Sequence, residues 1–230
     1  MMQLTCQAVL FDLDGVLADS MENVERHWRR WAERNGLDAD SIMGVVHGRP
    51  ARDSIRELAP EADQEAEFRW LEQAEADDTE GVKPIAGAGE LMAQVPVGRM
   101  GVVTSGSDPV ARARLGHVGL TPPPVWVTAD DITRGKPDPE PYQLGAEKLG
   151  VGAAQCVVIE DSPAGIRAGQ AAGAPVIAVL TSHSVEAVGF ADAVVASLND
   201  IQVQEDGTGS LVITLRTVSP QLIASSSNSV

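Results

Sequence analysis

The chain has 230 residues, 43% of them hydrophobic, enough for one large domain or for a core with a smaller insert. Its formal net charge of −16 argues against nucleic-acid and anionic-membrane partners, and an anionic ligand would need a local cluster of cations. The first residues carry no basic region, no segment reaches transmembrane length, and the two cysteines, Cys6 and Cys156, fit buried thiols in a reducing compartment, so a cytoplasmic monomer is expected.

The first strong element is the apolar run Ala8-Val9-Leu10-Phe11, which predicts a strand over residues 8–12. It delivers two carboxylates, Asp12 and Asp14, before Gly15 breaks it. Residues i and i+2 of a strand face one way, which puts both acids at the carboxyl end, where open α/β sheets bind ligands. Acids this close repel unless they share a cation or a proton. A divalent metal with one protonated acid resolves the conflict; the plainer alternative is a surface turn, which the preceding apolar run disfavours. Residues 20–83 then show no convincing strand. Helical patterns over 21–35 (with Val24, Trp28 and Trp31 in register), 51–58 and 62–77 predict an inserted helical cap over residues 18–83. Its crossings, near 16–20 and 80–86, are expected to form a hinge between core segments 1–17 and 84–218. Within it, His47, Arg49 and Arg52 surround a Gly48-Arg49-Pro50 turn and are expected to face the core and contact substrate. A plain surface helix face remains the alternative for Arg52 and Asp53.

Pro84, Gly87 and Gly89 mark the return to the core. A helix over 87–95 and a strand over 98–104 lead to Thr104-Ser105-Gly106. Small hydroxyls and a glycine at such a turn suit phosphate oxygens, although an ordinary helix cap uses the same residues. After a helix at 108–118 and a strand at 124–128, Lys136 stands between Gly135 and a series of prolines, Pro137, Pro139 and Pro141. That stiff loop would present an ammonium to an anion. A helix over 139–149 and a strand over 156–160 follow, ending in Glu160-Asp161-Ser162-Pro163. Asp161 is either a helix cap or, with Asp12 and Asp14, part of a hard oxygen site suited to Mg²⁺. A helix at 163–173, a strand at 175–180 and a weaker strand at 193–195 complete the alternation. The fold class is therefore α/β: a Rossmann-like three-layer α/β/α core with a parallel sheet. Asp206-Gly207 between apolar runs predicts a hairpin, and residues 219–230 read as a disordered tail.

Taken in order over residues 8–180, these elements resemble the haloacid dehalogenase-like superfamily of phosphatases. His47-Gly48-Arg49, Thr104-Ser105-Gly106, Gly135-Lys136-Pro137-Asp138-Pro139 and Glu160-Asp161-Ser162-Pro163-Ala164-Gly165 resemble its glycerol-phosphate and 2-deoxyglucose-phosphate phosphatases. The resemblance implies that Asp12 is a nucleophile forming an aspartyl-phosphate and Asp14 an acid and then a base. It implies Mg²⁺ held by the Asp12 carboxylate, the Asp14 carbonyl and Asp161, with Glu160 supporting that shell. Ser105, with Thr104 and the Gly106 N–H, would hold phosphoryl oxygens, in a register open by one residue, and Lys136 would bridge the phosphoryl group and Asp12. The implied substrate is a small sugar or polyol phosphate. A β-phosphoglucomutase-like activity is the main alternative, but Val24 and Ala51 stand where such mutases carry a His and an Arg. A non-enzymatic phospho-accepting receiver domain would lack both Asp14 and the helical insert.

Overall fold

The computed structural model describes residues 2–46 and 50–218. Strand β1 (Met2–Cys6) leads into β2 (Ala8–Phe11), and a tight turn carries the chain through β3 (Ala18–Asp19). The helices α1 (Met21–Arg34), α2 (Ala39–Val46), α3 (Ala51–Leu58) and α4 (Gln64–Asp77) follow, and β4 (Lys83–Pro84) returns antiparallel to β3. Strand and helix then alternate: α5 (Ala88–Gln94), β5 (Met100–Val103), α6 (Asp108–His117), β6 (Val125–Val127), α7 (Glu140–Lys148), β7 (Cys156–Glu160), α8 (Pro163–Ala171), β8 (Val176–Val179), α9 (Val185–Val188) and β9 (Ala193–Val195). β10 (Ile201–Glu205) and β11 (Leu211–Leu215) form the expected hairpin.

The main sheet is parallel with strand order β6-β5-β2-β7-β8-β9, so the α/β class holds. Its strands are apolar on both faces, as a sheet covered on two sides requires. Alternation sorts them: Val9, Phe11, Val157 and Ile159 pack toward α5 and α6, whereas Ala8, Leu10, Val158 and Val176 pack toward α7 and α8. Each valine, leucine, isoleucine or phenylalanine so buried contributes roughly 1.5–3 kcal/mol. The chain runs from β2 to β5 on one side and later to β7 on the other, which makes the carboxyl end of β2 a topological switch point.

A separate apolar cluster, centred on Trp28, Trp31, Ile55, Phe68 and Leu71, holds α1–α4 together. Trp28 and Trp31 meet edge to face with ring centroids 5.2 Å apart. Several elements differ from the sequence reading, among them the short β3 and α9, which it does not predict. β1 is an unexpected strand that pairs with β11 in a second, antiparallel sheet. β4 begins at Lys83, inside the stretch expected to hold no strand, because two extended residues pair there with β3. α2 was not anticipated. Residues 47–49, with His47 and Arg49, and the tail 219–230 lie outside the described residues.

Candidate active site

β2 stops at Phe11, and the Asp12 N–H extends its ladder by one bond to the Ile159 carbonyl, 3.0 Å away. Beyond it the chain folds sharply, with the Leu13 carbonyl accepting from the N–H groups of Val16, Leu17 and Ala18. Gly15 has φ 81°, and a Cβ there would lie 2.0 Å from Asp161 Oδ2, so only glycine lets the loops after β2 and β7 meet. Asp12 and Asp14 line one cavity of about 210 Å³ beneath α1, α3 and α4. Strand alternation is not what brings them together, as the sequence suggested, because the strand ends before either acid; the turn does.

Lys136 is buried, 4% exposed. Its ammonium donates to Asp12 Oδ1 at 2.5 Å, Glu160 Oε1 at 2.8 Å and the Val103 carbonyl at 3.1 Å. The peptide Lys136–Pro137 is cis. Glu160 is fully buried and fully engaged: Oε1 also accepts from Tyr142 OH, and Oε2 accepts from the N–H groups of Asp161 and Ser162 and from Ser162 Oγ. It therefore anchors Lys136 and the turn after β7. Burial works to raise its pKa, but Lys136 and these hydrogen bonds prevail and hold it below the usual range. Burial alone would depress Lys136, and Asp12 with Glu160 lift it well above its ordinary value.

Burial, with Glu160 and Asp14 nearby, pushes Asp12 up to about 7 against the opposing pull of Lys136. Asp161 is likewise pushed well above the carboxylate range by burial and by the charges of Glu160 and Asp12. One carboxylate oxygen from each of Asp12, Glu160 and Asp161 lies within 4.8 Å of the other two. Negative charge in excess, on hard oxygen donors, fits a divalent cation such as Mg²⁺. Because both Glu160 oxygens are already engaged, Asp12 and Asp161 are the carboxylates that fit this role.

The turn after β5 departs from expectation. Thr104 does not line the cavity; its Oγ1 accepts from the Gly106 N–H at 3.0 Å and shapes the turn. That commits the Gly106 amide as well and leaves Ser105 as the hydroxyl of the expected trio that lines the cavity. Asp14 Oδ1 accepts from Ser20 Oγ at 2.5 Å and from Arg114 Nη1 at 2.9 Å, and Arg114 Nη2 reaches Glu75 Oε2 at 2.9 Å. Sequence reasoning missed Arg114 and Glu75, although Arg114 interrupts the apolar face Val110, Ala111, Leu115 of α6. It also missed Ser182, whose hydroxyl donates to Asp161 Oδ2 and meets His183 Nδ1. Arg52 lines the cavity, lies 3.6 Å from the Phe68 ring centroid and pairs with Glu65. Pro50 seats against Gly135, where a Cβ would come within 2.3 Å of its ring.

Residues 9–179 match the family described as haloacid dehalogenase-like hydrolase. The chain is 43% identical to hexitol phosphatase A of Escherichia coli (strain K12) over 91% of its own length and 100% of that protein. It is 33% identical to glycerol-1-phosphate phosphohydrolase 2 of Saccharomyces cerevisiae, covering 80% of this chain and 79% of the relative. In fold it is similar to CbbY from Rhodobacter sphaeroides, solved in complex with phosphate, with a TM-score of 0.71 at 22% identity over 84% of this chain and 95% of that one. Among the described residues, no helix is long and apolar enough to cross a membrane.

Proposed function

Because the chain belongs to the haloacid dehalogenase-like hydrolase family, we propose that it is a phosphoric monoester hydrolase releasing phosphate from small sugar or polyol phosphates through a phosphoryl group carried on Asp12. The observation that carries this reading is the pairing of a buried carboxylate with a buried ammonium, Asp12 and Lys136 at 2.5 Å, with a second carboxylate, Asp14, on the same cavity.

A carboxylate oxygen of Asp12 attacks phosphorus, and the bond from phosphorus to the alcohol oxygen breaks. Asp14 gives its proton to the departing alkoxide. Asp14, now ionised, takes a proton from water, whose oxygen attacks phosphorus and breaks the bond to Asp12; phosphate leaves and both acids are restored. Lys136 and Ser105 meet the phosphoryl oxygens, which is the positioning and charge stabilisation that phosphoryl transfer demands. Asp12, Asp161 and the Asp14 carbonyl would hold a Mg²⁺, which would supply positive charge there and keep Asp12 ionised. Helices α1–α4 act as a lid, hinged at the β3–β4 pair, that excludes water while the first bond breaks and contacts the leaving group through residues such as Arg52. Val24 and Ala51 line the cavity at the two positions where β-phosphoglucomutase-like mutases carry a His and an Arg, which favours hydrolysis over a mutase.

The test is phosphate release from a panel of hexitol, glycerol and sugar phosphates with Mg²⁺, run beside Asp12→Asn. Activity on neutral polyol or sugar esters, lowered at least about 1000-fold by the substitution, is the expected result. A variant as active as the parent overturns the nucleophile. A hexose 1-phosphate converted to the 6-phosphate without free phosphate would favour the mutase.

A further inference from the structure

α6 presents a buried face of Val110, Ala111 and Leu115, and into the same face the sequence inserts Arg114, only 3% exposed. A buried guanidinium needs partners, and Arg114 has two from distant parts of the chain. Nη1 lies 2.9 Å from Asp14 Oδ1, on the turn after β2. Nη2 lies 2.9 Å from Glu75 Oε2, on α4, the helix of the cap that packs on α6. Glu75 is itself buried, 8% exposed. The planar fork of arginine suits this bridge, since two nitrogens of one rigid group each meet a different carboxylate. Ser20 Oγ meets the same Asp14 oxygen at 2.5 Å. One oxygen of the acid–base carboxylate is thus clamped, and one of its two clamps is referred onward to the cap.

We propose that Arg114 is a positioning residue for Asp14 and that Glu75 holds Arg114 in that role, so that the seating of α4 on α6 sets the aim of the acid–base carboxylate. The inference rests on the acid–base reading of Asp14 given above. A misaimed acid harms substrates in proportion to their need for a proton. An alkyl phosphate leaves as a strongly basic alkoxide and depends on the acid, whereas p-nitrophenyl phosphate leaves as a stable phenolate and does not.

The experiment therefore compares the best alkyl phosphate of the panel, in the steady state, with the pre-steady-state burst of p-nitrophenolate. Arg114→Lys keeps the charge but cannot span both carboxylates. It should lower kcat on the alkyl ester roughly 30-fold with KM within about threefold, while the burst rate changes less than about threefold. Glu75→Gln should show a smaller loss with the same selectivity, and it decides the question alone if Arg114→Lys does not fold. Equal losses on both esters, or no loss, would overturn the proposal, because a merely structural clamp has no reason to distinguish leaving groups. Asp14→Asn separates the two levels. If it is selective and neither other variant is, the Arg114 proposal alone fails; if it harms both esters equally, the acid–base reading fails with it.

Discussion

Lys136 holds its ammonium between two buried carboxylates, 2.5 Å from Asp12 and 2.8 Å from Glu160, and a carbonyl takes its third proton. Its removal leaves both acids buried without a countercharge, although Glu160 keeps its other hydrogen bonds. Lys136→Met is expected to cost about 3–5 kcal/mol in urea unfolding, the usual result of stranding a buried ion. The same variant should lose at least about 100-fold in phosphate release, since charge near the phosphoryl group goes with it. Lys136→Arg should not rescue, because a wide planar fork does not fit where a point charge meets three acceptors. An unchanged urea midpoint would refute the packing argument. Cys6 and Cys156 illustrate the opposite case, buried polar groups kept neutral rather than charged. Both are free and buried, and burial pushes each thiol up to about 11. A raised pKa means less thiolate at any given pH, about one part in a thousand at pH 8. Maleimide labelling should therefore be slow in the native protein and rapid for both thiols once urea unfolds it; equal rates would sink the claim.

At the scale of elements, α1 carries an unusual stripe. Asn23, His27, Trp28 and Trp31 are all buried, so a histidine is packed where an apolar residue is expected. Asn23 bonds the carbonyls of Asp78 and Glu80, and His27 Nε2 lies 3.4 Å from Asp78 Oδ2, which ties α1 to the segment leaving α4. Burial lowers the His27 pKa below its ordinary value, with Arg26 and Arg30 adding to the effect and Asp78 opposing it. The folded state then binds fewer protons than the unfolded one. The neutral ring's contribution is present above the unfolded pKa of about 6.5 and is lost as pH falls through it. Asp12 and Asp161, raised above the carboxylate range, add the opposite slope over the same window, so the check is a difference: relative to His27→Gln, the parent's thermal midpoint should fall between about pH 7.5 and pH 5.5; an unchanged difference between the two proteins would exclude His27 as a contributor. The same helices show what a sequence can and cannot reveal. Strands β2, β5, β7 and β8 were legible because a covered parallel sheet needs unbroken apolar runs. β1 was missed because its inward side chains, Met2, Leu4 and Cys6, alternate with polar ones in a strand that matters only through β11, over 200 residues away. Two paired residues in β3 and β4 have no period to detect. Asp12, Lys136 and Asp161 were visible because each sits beside a run or a glycine that fixes local geometry. Arg114, Glu75, Tyr142 and Ser182 converge only in three dimensions, and the one local sign among them was an arginine on an apolar helix face.

At the scale of the whole molecule, the topology concentrates charge. The strand order brings the ends of β5, β2 and β7 side by side, and with them Ser105, Asp12 and Asp161, in a chain whose net charge is −16. Packing on both sheet faces fixes those ends, so the carboxylates cannot move apart to relieve their repulsion. The fold without a cation therefore carries an electrostatic cost that a cation would remove. Mg²⁺ should raise the thermal midpoint, by the equivalent of about 2.7 kcal/mol once it exceeds its dissociation constant 100-fold, and chelation should restore the lower midpoint and abolish phosphate release. Asp161→Asn separates this from a general salt effect. Burial and the charges of Glu160 and Asp12 already disfavour the ionised Asp161, so the amide should be as stable as the parent, or more so, without Mg²⁺. With Mg²⁺ it should be the less stable of the two, because a ligand is gone. The stability curves of the two proteins are thus expected to cross as Mg²⁺ is added. Parallel curves, or a parent indifferent to the ion, would show that the repulsion between these strand ends is relieved by protons rather than by a metal.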